Sequence, residues 1–308
     1  MAILFQSHMD RGDLWQAAFA ERAPKLEFRI WPEIGRKEDI DYALVWFPQP
    51  GLLKSLPNLK VIFSLGAGID HILIDTELPD KPIVRMVDRG LSVSMSEYLI
   101  YATLRFHRHM PDFEAAQRQS RWAFRDSPAP WERRVGFLGL GVLGRAAASQ
   151  LAAIGFSLAG WSRRPKQVPG VSSFVGPEGL QPFLNGTDIL ICLLPGTAET
   201  EGIVNAKTLA MLPRGASFIN AARGRHVVES DLLAALDSGQ LSGAMLDVFR
   251  DEPLGPDSPF WTHPKVTVTP HVAGLSLPST GADIVLENIR RYEAGEDMLN
   301  LVDPAAGY

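Results

Sequence analysis

Cys192 is the only cysteine in 308 residues. No intrachain disulfide can form, and a reducing compartment such as the cytoplasm fits that usage. Cys192 sits in the apolar run Ile189 to Leu194, so it reads as a small core residue rather than a nucleophile. Charge of one sign is also scarce. Thirty Lys and Arg against 35 Asp and Glu leave a net charge of -5, and no long basic run occurs, which argues against a nucleic-acid partner. No apolar run approaches the length of a membrane span, so no membrane partner is expected. The apolar start, Met1 to Gln6, is short and lacks a basic leader and a cleavage site; it reads as a strand, not a signal peptide. His107 and His109 are two apart and do not share a helix face, so no metal site is expected there.

What remains is an ordinary globular composition, 46% hydrophobic and 21% charged, in a chain long enough for two cores. Short apolar runs alternate with helical stretches throughout, the pattern of α/β units with parallel sheets. In the first part the predicted strands are Ala2 to Phe5, Leu26 to Ile30, Tyr42 to Trp46, Val61 to Ser64 and Ile83 to Met86. Asp13 to Glu21 is the helix between the first two. A long helical stretch runs from Ser92 to about Gln119 and breaks near Pro111. The segment Trp122 to Trp131 holds Pro128 and Pro130 and stays irregular; its tryptophans need a surface, on a partner subunit or on their own chain. From Val135 the alternation restarts and predicts a doubly wound sheet of about six strands. Helices are predicted at Leu143 to Ile154, Asp231 to Ser238 and Pro278 to Ala294.

The stretch Val135 to Arg145 organises the chain. An apolar strand breaks at Gly139 and Gly141, and an Ala-rich helix follows, with Gly144 completing a G-x-G-x-x-G spacing. The first glycine permits the tight turn, the second lets backbone approach a pyrophosphate, and the third lets the helix pack closely. The N–H groups at the helix start, at Val142 and Leu143, face the phosphates with a partial positive charge. This predicts a dinucleotide. An NAD site usually carries Asp or Glu at the end of the second strand. Here that strand ends Ser162-Arg163-Arg164, with no carboxylate before Glu178. Guanidinium groups bind a 2′-phosphate and a hydroxyl can donate to it, so NADP(H) is expected, with NAD(H) the weaker alternative.

Three polar stretches follow predicted strands at carboxyl ends, where open α/β sheets present ligands. They are Asn220 to Gly224, Asp247 to Pro253, and Thr269 to Gly274. Hydride transfer to a 2-keto acid needs a cation for the carboxylate and carbonyl, a proton donor, and a group that keeps the donor protonated; Arg, His and Glu supply these. A nearby carboxylate favours the imidazolium. Of the seven histidines, His271 alone ends a strand of the second half and follows a proline; His8, His71, His107, His109, His226 and His263 lie elsewhere. In the first half, the glycine turn Ser64 to Asp70 reads equally as a ligand loop or a plain strand-to-helix turn. The loop Trp46 to Gln49 would shape the pocket.

Four motifs in this order resemble the D-isomer-specific 2-hydroxyacid dehydrogenase family over nearly the whole chain. They are Gly139-x-Gly141-x-x-Gly144, Asn220-Ala221-Ala222-Arg223-Gly224, Leu246-Asp247-Val248-Phe249-x-x-Glu252-Pro253 and Pro270-His271-Val272-Ala273. The resemblance implies that Arg223 binds substrate, that Glu252 pairs with His271, and that His271 is the general acid/base. It implies substrate-carboxylate binding at the backbone of Ala67 and Gly68, with Trp46 beside the substrate. It places Leu194, Pro195 and Thr200 near the nicotinamide ribose, Asp247 near the nicotinamide amide, and Ala221 and Gly274 among the cofactor neighbours. Within the family the chain looks most like the short bacterial glyoxylate/hydroxypyruvate reductases, through Tyr42 to Trp46, Gly160 to Arg163, Ala244 to Asp247 and the ending Val302-Asp303 with Gly307-Tyr308. That group prefers NADP, which agrees with the missing acid.

The resemblance also implies two doubly wound domains, a Rossmann-type cofactor domain at 99–277 inserted into a flavodoxin-like substrate domain of 1–98 and 278–308. Closure between them would exclude water from the substrate. The expectation is therefore an NADPH-dependent reductase of small 2-keto acids, glyoxylate and hydroxypyruvate, acting as a cytoplasmic homodimer. The alternatives are an NAD-linked dehydrogenase of larger D-hydroxy acids and a non-catalytic dinucleotide sensor on the same fold.

Overall fold

A computed structural model describes residues 1–303. The chain divides into two compact units, Met1–Leu91 together with the stretch from Leu275 onward, and Ser92–Gly274 between them. By compactness the divisions fall at 91/92 and 274/275. Gly307 and Tyr308 lie outside the described residues.

The first unit holds a five-stranded parallel sheet of β1 (Ala2–Gln6), β2 (Glu27–Ile30), β3 (Ile40–Val45), β4 (Val61–Ser64) and β5 (Ile83–Val84). Its order is β2-β1-β3-β4-β5, the flavodoxin-like arrangement, with the order reversing between β1 and β3. Every residue of β4 and all but one of β1 and β3 are buried, as expected for strands covered on both faces. Helix α1 (Gly12–Arg22) buries Trp15, Ala18 and Phe19 against the sheet, and Phe19 stacks near Phe28 at 5.0 Å between ring centroids. The short α2 (Asp70–Leu73) follows β4. Leu301 bridges to Val84 and so extends the β5 edge.

The second unit opens within helix α3 (Arg89–His107), which is followed by α4 (Met110–Arg118). The break falls at His109, whose φ of 55° is left-handed, and Pro111 then occupies the first turn of α4. His107 is buried and meets Phe156 edge-on at 4.9 Å. Seven parallel strands follow: β6 (Arg134–Leu138), β7 (Ser157–Ser162), β8 (Val171–Val175), β9 (Ile189–Cys192), β10 (Ala216–Asn220), β11 (Leu241–Leu246) and β12 (Val266–Val268). The order β12-β11-β10-β9-β6-β7-β8 is the Rossmann arrangement with one added strand, reversing between β6 and β9. Its helices are α5 (Val142–Ile154), α6 (Gly176–Asn185), α7 (Ala206–Ala210) and α8 (Glu229–Asp237). The predicted count of about six strands misses β8. That strand reads Val-Ser-Ser-Phe-Val, lies at the sheet edge and has no buried residue, so it shows no apolar run. Helix α9 (Pro278–Glu293) belongs to the first unit and packs on α1. No described helix is long and apolar enough to cross a membrane.

The contact between α1 and α9 requires a glycine. A Cβ at Gly281 would lie 2.4 Å from the Trp15 ring. Gly281→Ala is expected to destabilise the protein by about 1–3 kcal/mol through overpacking. Gly255→Ala, where a Cβ meets nothing within 4 Å, should change stability by less than about 0.5 kcal/mol. Urea unfolding of the two variants beside the parent checks both.

Candidate active site

In the second unit the glycine turn follows β6 at the point where the sheet order reverses. Each glycine answers a different constraint. Gly139 adopts φ 98°, and a Cβ there would lie 2.8 Å from the Leu193 carbonyl oxygen. A Cβ at Gly144 would lie 2.6 Å from the Gly139 carbonyl oxygen, so the helix sits directly on the turn. A Cβ at Gly141 meets nothing within 4 Å. Internal packing therefore demands the first and third glycines, whereas the second leaves an open backbone face that an outside group can approach. Gly141 also caps α5 without a side-chain hydrogen bond, so the helix's first N–H groups, from Val142 onward, take no side-chain cap. This cradle fits a pyrophosphate.

At the end of β7, Ser162 is buried and its hydroxyl donates to the Arg164 carbonyl at 2.7 Å. That bond shapes the turn that carries Arg163 and Arg164. The guanidinium groups of Arg163 and Arg164 are exposed. Thr197, the residue's own backbone N–H and Arg163 together hold the Glu199 carboxyl below the usual carboxylate range, so Arg163 lies within the field of the 194–200 loop. In that loop Thr200 donates to the Pro195 carbonyl at 2.7 Å, and Leu194 is buried.

The three polar stretches follow neighbouring strands. After β10, the fully buried Asn220 shapes the turn: its amide donates to the Arg223 carbonyl at 3.0 Å and its oxygen accepts from Ala222 N–H at 3.2 Å. Ala221 is buried, and the Arg223 guanidinium donates to the Ala222 carbonyl at 2.7 Å. A Cβ at Gly224 would lie 1.8 Å from the Phe249 carbonyl carbon. The turn carrying Arg223 is thus pressed directly onto the backbone of the loop carrying Glu252.

After β12, His271 takes φ 55°, an uncommon conformation for a non-glycine residue. Asp247 holds it there. This almost wholly buried carboxylate accepts from Val272 N–H at 2.9 Å, Ala273 N–H at 2.8 Å and the Thr269 hydroxyl at 2.6 Å, while its backbone carbonyl accepts from His271 N–H at 2.8 Å. Tyr98 then donates to Thr269 at 2.7 Å; burial raises its phenol, keeping it a neutral donor. Asp247, expected beside the nicotinamide amide, directs its carboxylate at the protein's own 269–273 turn. Gly274 closes the same stretch at the end of the unit.

His271 Nδ1 lies 2.7 Å from Glu252 Oε2, and the other Glu252 oxygen accepts from Phe249 N–H at 2.9 Å. Partial burial works to raise the Glu252 carboxyl. The hydrogen bond and charge of His271, the Phe249 N–H and the Arg223 charge outweigh it, so the group sits below its ordinary value. The histidine keeps 19% of its side chain exposed and the glutamate 30%, which leaves the ring able to meet a small molecule.

In the first unit, the loop after β4 is tied down through its carbonyls. Ser64 Oγ lies 2.9 Å from Gly66 O and 3.0 Å from Gly68 O, Met86 N–H donates to Gly66 O, and Ser276 donates to Leu65 O. The N–H groups of Ala67 and Gly68 take no partner among the described residues. Trp46 is buried, 4.0 Å from the His71 ring, and a Cβ at Gly66 would lie 2.5 Å from its indole. Its ring supports the Gly66 end of the loop.

A doubly wound sheet with a dinucleotide cradle and a carboxylate-supported histidine defines a nucleotide-dependent oxidoreductase architecture. Residues 100–273 match the family described as D-isomer specific 2-hydroxyacid dehydrogenase, NAD binding domain. The chain is 43% identical over 315 residues to glyoxylate/hydroxypyruvate reductase A of Yersinia enterocolitica, with both chains covered in full. It is similar to a D-isomer specific 2-hydroxyacid dehydrogenase from Xanthobacter autotrophicus Py2, crystallised with NADPH and MES, with TM-score 0.96, 47% identity and coverage of 100% and 99%. It is also similar to an NADPH-dependent glyoxylate/hydroxypyruvate reductase from Sinorhizobium meliloti, crystallised with NADP and sulfate, with TM-score 0.94, 41% identity and the same coverage. The chain belongs to the D-isomer specific 2-hydroxyacid dehydrogenase family.

The sequence reading missed Asn220, Gly224 and the Tyr98–Thr269 link. Asn220 and Gly224 stand inside a motif that was visible, but their work is done through backbone contacts that spacing does not reveal. Asp247→Asn would turn an amide NH2 toward one of the N–H groups of Val272 and Ala273. It should cost about 1–3 kcal/mol for the unsatisfied donor. Amide exchange across residues 269–274, expected to quicken selectively, checks it.

Proposed function

We propose that the chain is an NADPH-dependent reductase of small 2-keto acids, with glyoxylate and hydroxypyruvate as its substrates. The observation that carries this reading is the 2.7 Å His271–Glu252 pair, with Arg223 on the neighbouring turn of the same sheet edge. Ionised Glu252 holds the imidazole oriented through Nδ1, so His271 can give a proton through Nε2 to an oxygen that gains charge. Arg223 binds the substrate carboxylate and polarises its carbonyl. The N–H groups of Ala67 and Gly68 are the further candidates for the carboxylate. Bound NADPH supplies the hydride. Gly139, Gly141, Val142, Leu143 and Gly144 would hold its pyrophosphate, and Arg163 and Arg164 its 2′-phosphate, there being no carboxylate between Arg163 and Glu178 to repel it. Leu194, Pro195, Thr200, Ala221 and Gly274 are assigned to the nicotinamide half, where Asp247 acts through the turn it holds. Residues 99–277 are the cofactor domain in this reading, and 1–98 with 278–308 the substrate domain.

The protein acts as a homodimer in the cytoplasm. Trp122, Phe124 and Trp131 support the dimer: they are 100%, 84% and 70% exposed in one chain, more apolar surface than one short segment leaves to water.

His271→Ala should lower kcat/KM for glyoxylate reduction by about 10²–10⁴-fold while NADPH still binds. Undiminished reduction would overturn the proton-donor role. Glu252→Gln should lower kcat/KM for glyoxylate reduction by about tenfold or more, because the carboxylate that orients the imidazole is gone. For stability, the depressed Glu252 carboxyl contributes above its unfolded-state value, and that contribution fades as pH falls through its lower folded-state value. Arg163→Ala should weaken NADPH binding far more than NADH binding; a parent enzyme that prefers NADH would refute the assignment of Arg163.

A further inference from the structure

His226 has no part in the proton transfer described above, yet it is fully buried in the turn that follows Arg223. Its Nε2 lies 3.1 Å from the Pro195 carbonyl oxygen. A carbonyl only accepts, so Nε2 carries the proton and Nδ1 is the ring's acceptor. Cys192 Sγ lies 3.6 Å from Nδ1. Burial pushes that thiol up to about 12, so it remains S–H and supplies the donor. The ring's tautomer is thereby fixed from both sides.

The Pro195 carbonyl is a node. It also lies 2.7 Å from Thr200 Oγ1 and 3.1 Å from Thr197 N–H, which together define the bend of the loop. Just beyond the loop, residues 202–204 are joined to residues 225–228 by backbone. Gly202 N–H donates to Arg225 O, Val204 N–H to His226 O and Val228 N–H to Val204 O, each at 2.9 Å. The Arg223 turn is in turn pressed on Phe249 through Gly224. His226 is therefore the side chain through which the 194–200 loop is bolted to the turn that carries Arg223.

We propose that His226 is a positioning residue that clamps the 194–200 loop to the Arg223 turn, so that order in the dinucleotide loop and placement of the substrate arginine are one property. This rests on the assignment of that loop to the nicotinamide half. A polar core histidine without this role would tolerate any buried polar replacement of similar size. The clamp tolerates only one that donates to Pro195.

Three variants separate the two. In His226→Gln the amide can reach the Pro195 carbonyl. In His226→Asn it is one methylene too short, and in His226→Leu it is absent. Amide exchange at residues 197–204 in the nucleotide-free protein, NADPH affinity by nicotinamide fluorescence, and kcat with KM for glyoxylate are the readouts. His226→Asn should speed exchange in 197–204, weaken NADPH binding and raise KM for glyoxylate, each about tenfold, with His226→Gln within about threefold of the parent throughout. His226→Leu should match or exceed the Asn variant; if it does not fold, the Asn and Gln pair still decides. Equal behaviour of Asn and Gln, or parent-like exchange in Asn, would overturn the clamp. A parent protein that binds no NADPH would overturn the functional reading instead, and the nucleotide-free exchange comparison would still judge the clamp.

Discussion

The Asp247 carboxylate is the interaction on which the second unit's site depends. A buried carboxylate needs hydrogen-bond donors, and Asp247 has two consecutive backbone N–H groups and one hydroxyl. Those donors all come from the turn that bears His271. The residue is held at a positive φ that costs about 1–3 kcal/mol in isolation, and the ring is aimed as a result. With the ring aimed, Glu252 meets it at 2.7 Å. The order of cause runs from a buried charge, to a strained backbone, to a directed imidazole. The pair visible at the surface is the last step of that sequence.

Backbone proximity does the rest of the positioning. Gly224 lets the β10 turn lie against the Phe249 backbone, and Gly139 lets the β6 turn lie against Leu193. Contacts of this kind leave no room for independent movement of neighbouring loops, because a packed interior shifts between discrete arrangements instead of deforming continuously. Arg223, Glu252 and His271 come from three separate loops, yet each loop is fixed to the next by main chain. Gly141 is the exception that marks the ligand side. It alone of the three motif glycines has open space where a Cβ would go, which suits the proposed approach of a pyrophosphate.

Much of this was legible in the sequence where the signal is local. The strand β6, the glycine spacing and the Ala-rich helix announce themselves through apolar runs and breaks. So do the polar ends of β10, β11 and β12, because parallel strands bury their whole length and any polar cluster after one stands out. Strand β8 was illegible because an edge strand with exposed serines carries neither an apolar run nor an alternation. The work of Asp247 was equally hidden. Its partners lie 22 to 26 residues away and two of the three are backbone groups, so spacing does not reveal them. Ser162 and Trp46 follow the same logic. The Ser162 bond to the Arg164 carbonyl and the Trp46 contact with Gly66 both shape loops, and neither is visible in spacing.

The two halves of the proposed dinucleotide site differ in how strongly each can discriminate. The helix start and the Gly141 backbone recognise a pyrophosphate through dipoles and N–H groups fixed in the fold, and that part is common to both dinucleotides. On the proposed reading the choice between them falls to Arg163 and Arg164, which are exposed, with Glu199 close enough to feel the Arg163 charge. Exposed charges are screened within about 8–10 Å at physiological salt, and single exposed pairs contribute about 1 kcal/mol or less. A phosphate carrying nearly two charges and offering bidentate geometry gains more than a lone carboxylate would, and it must still displace the pull of Glu199 on Arg163. On the proposed reading a preference for NADPH is accordingly a graded and salt-sensitive property of the surface, whereas the proposed proton donor, set by a buried carboxylate and a rigid turn, is not. Cofactor choice can therefore drift by surface substitution among chains of this fold without disturbing the chemistry beside it.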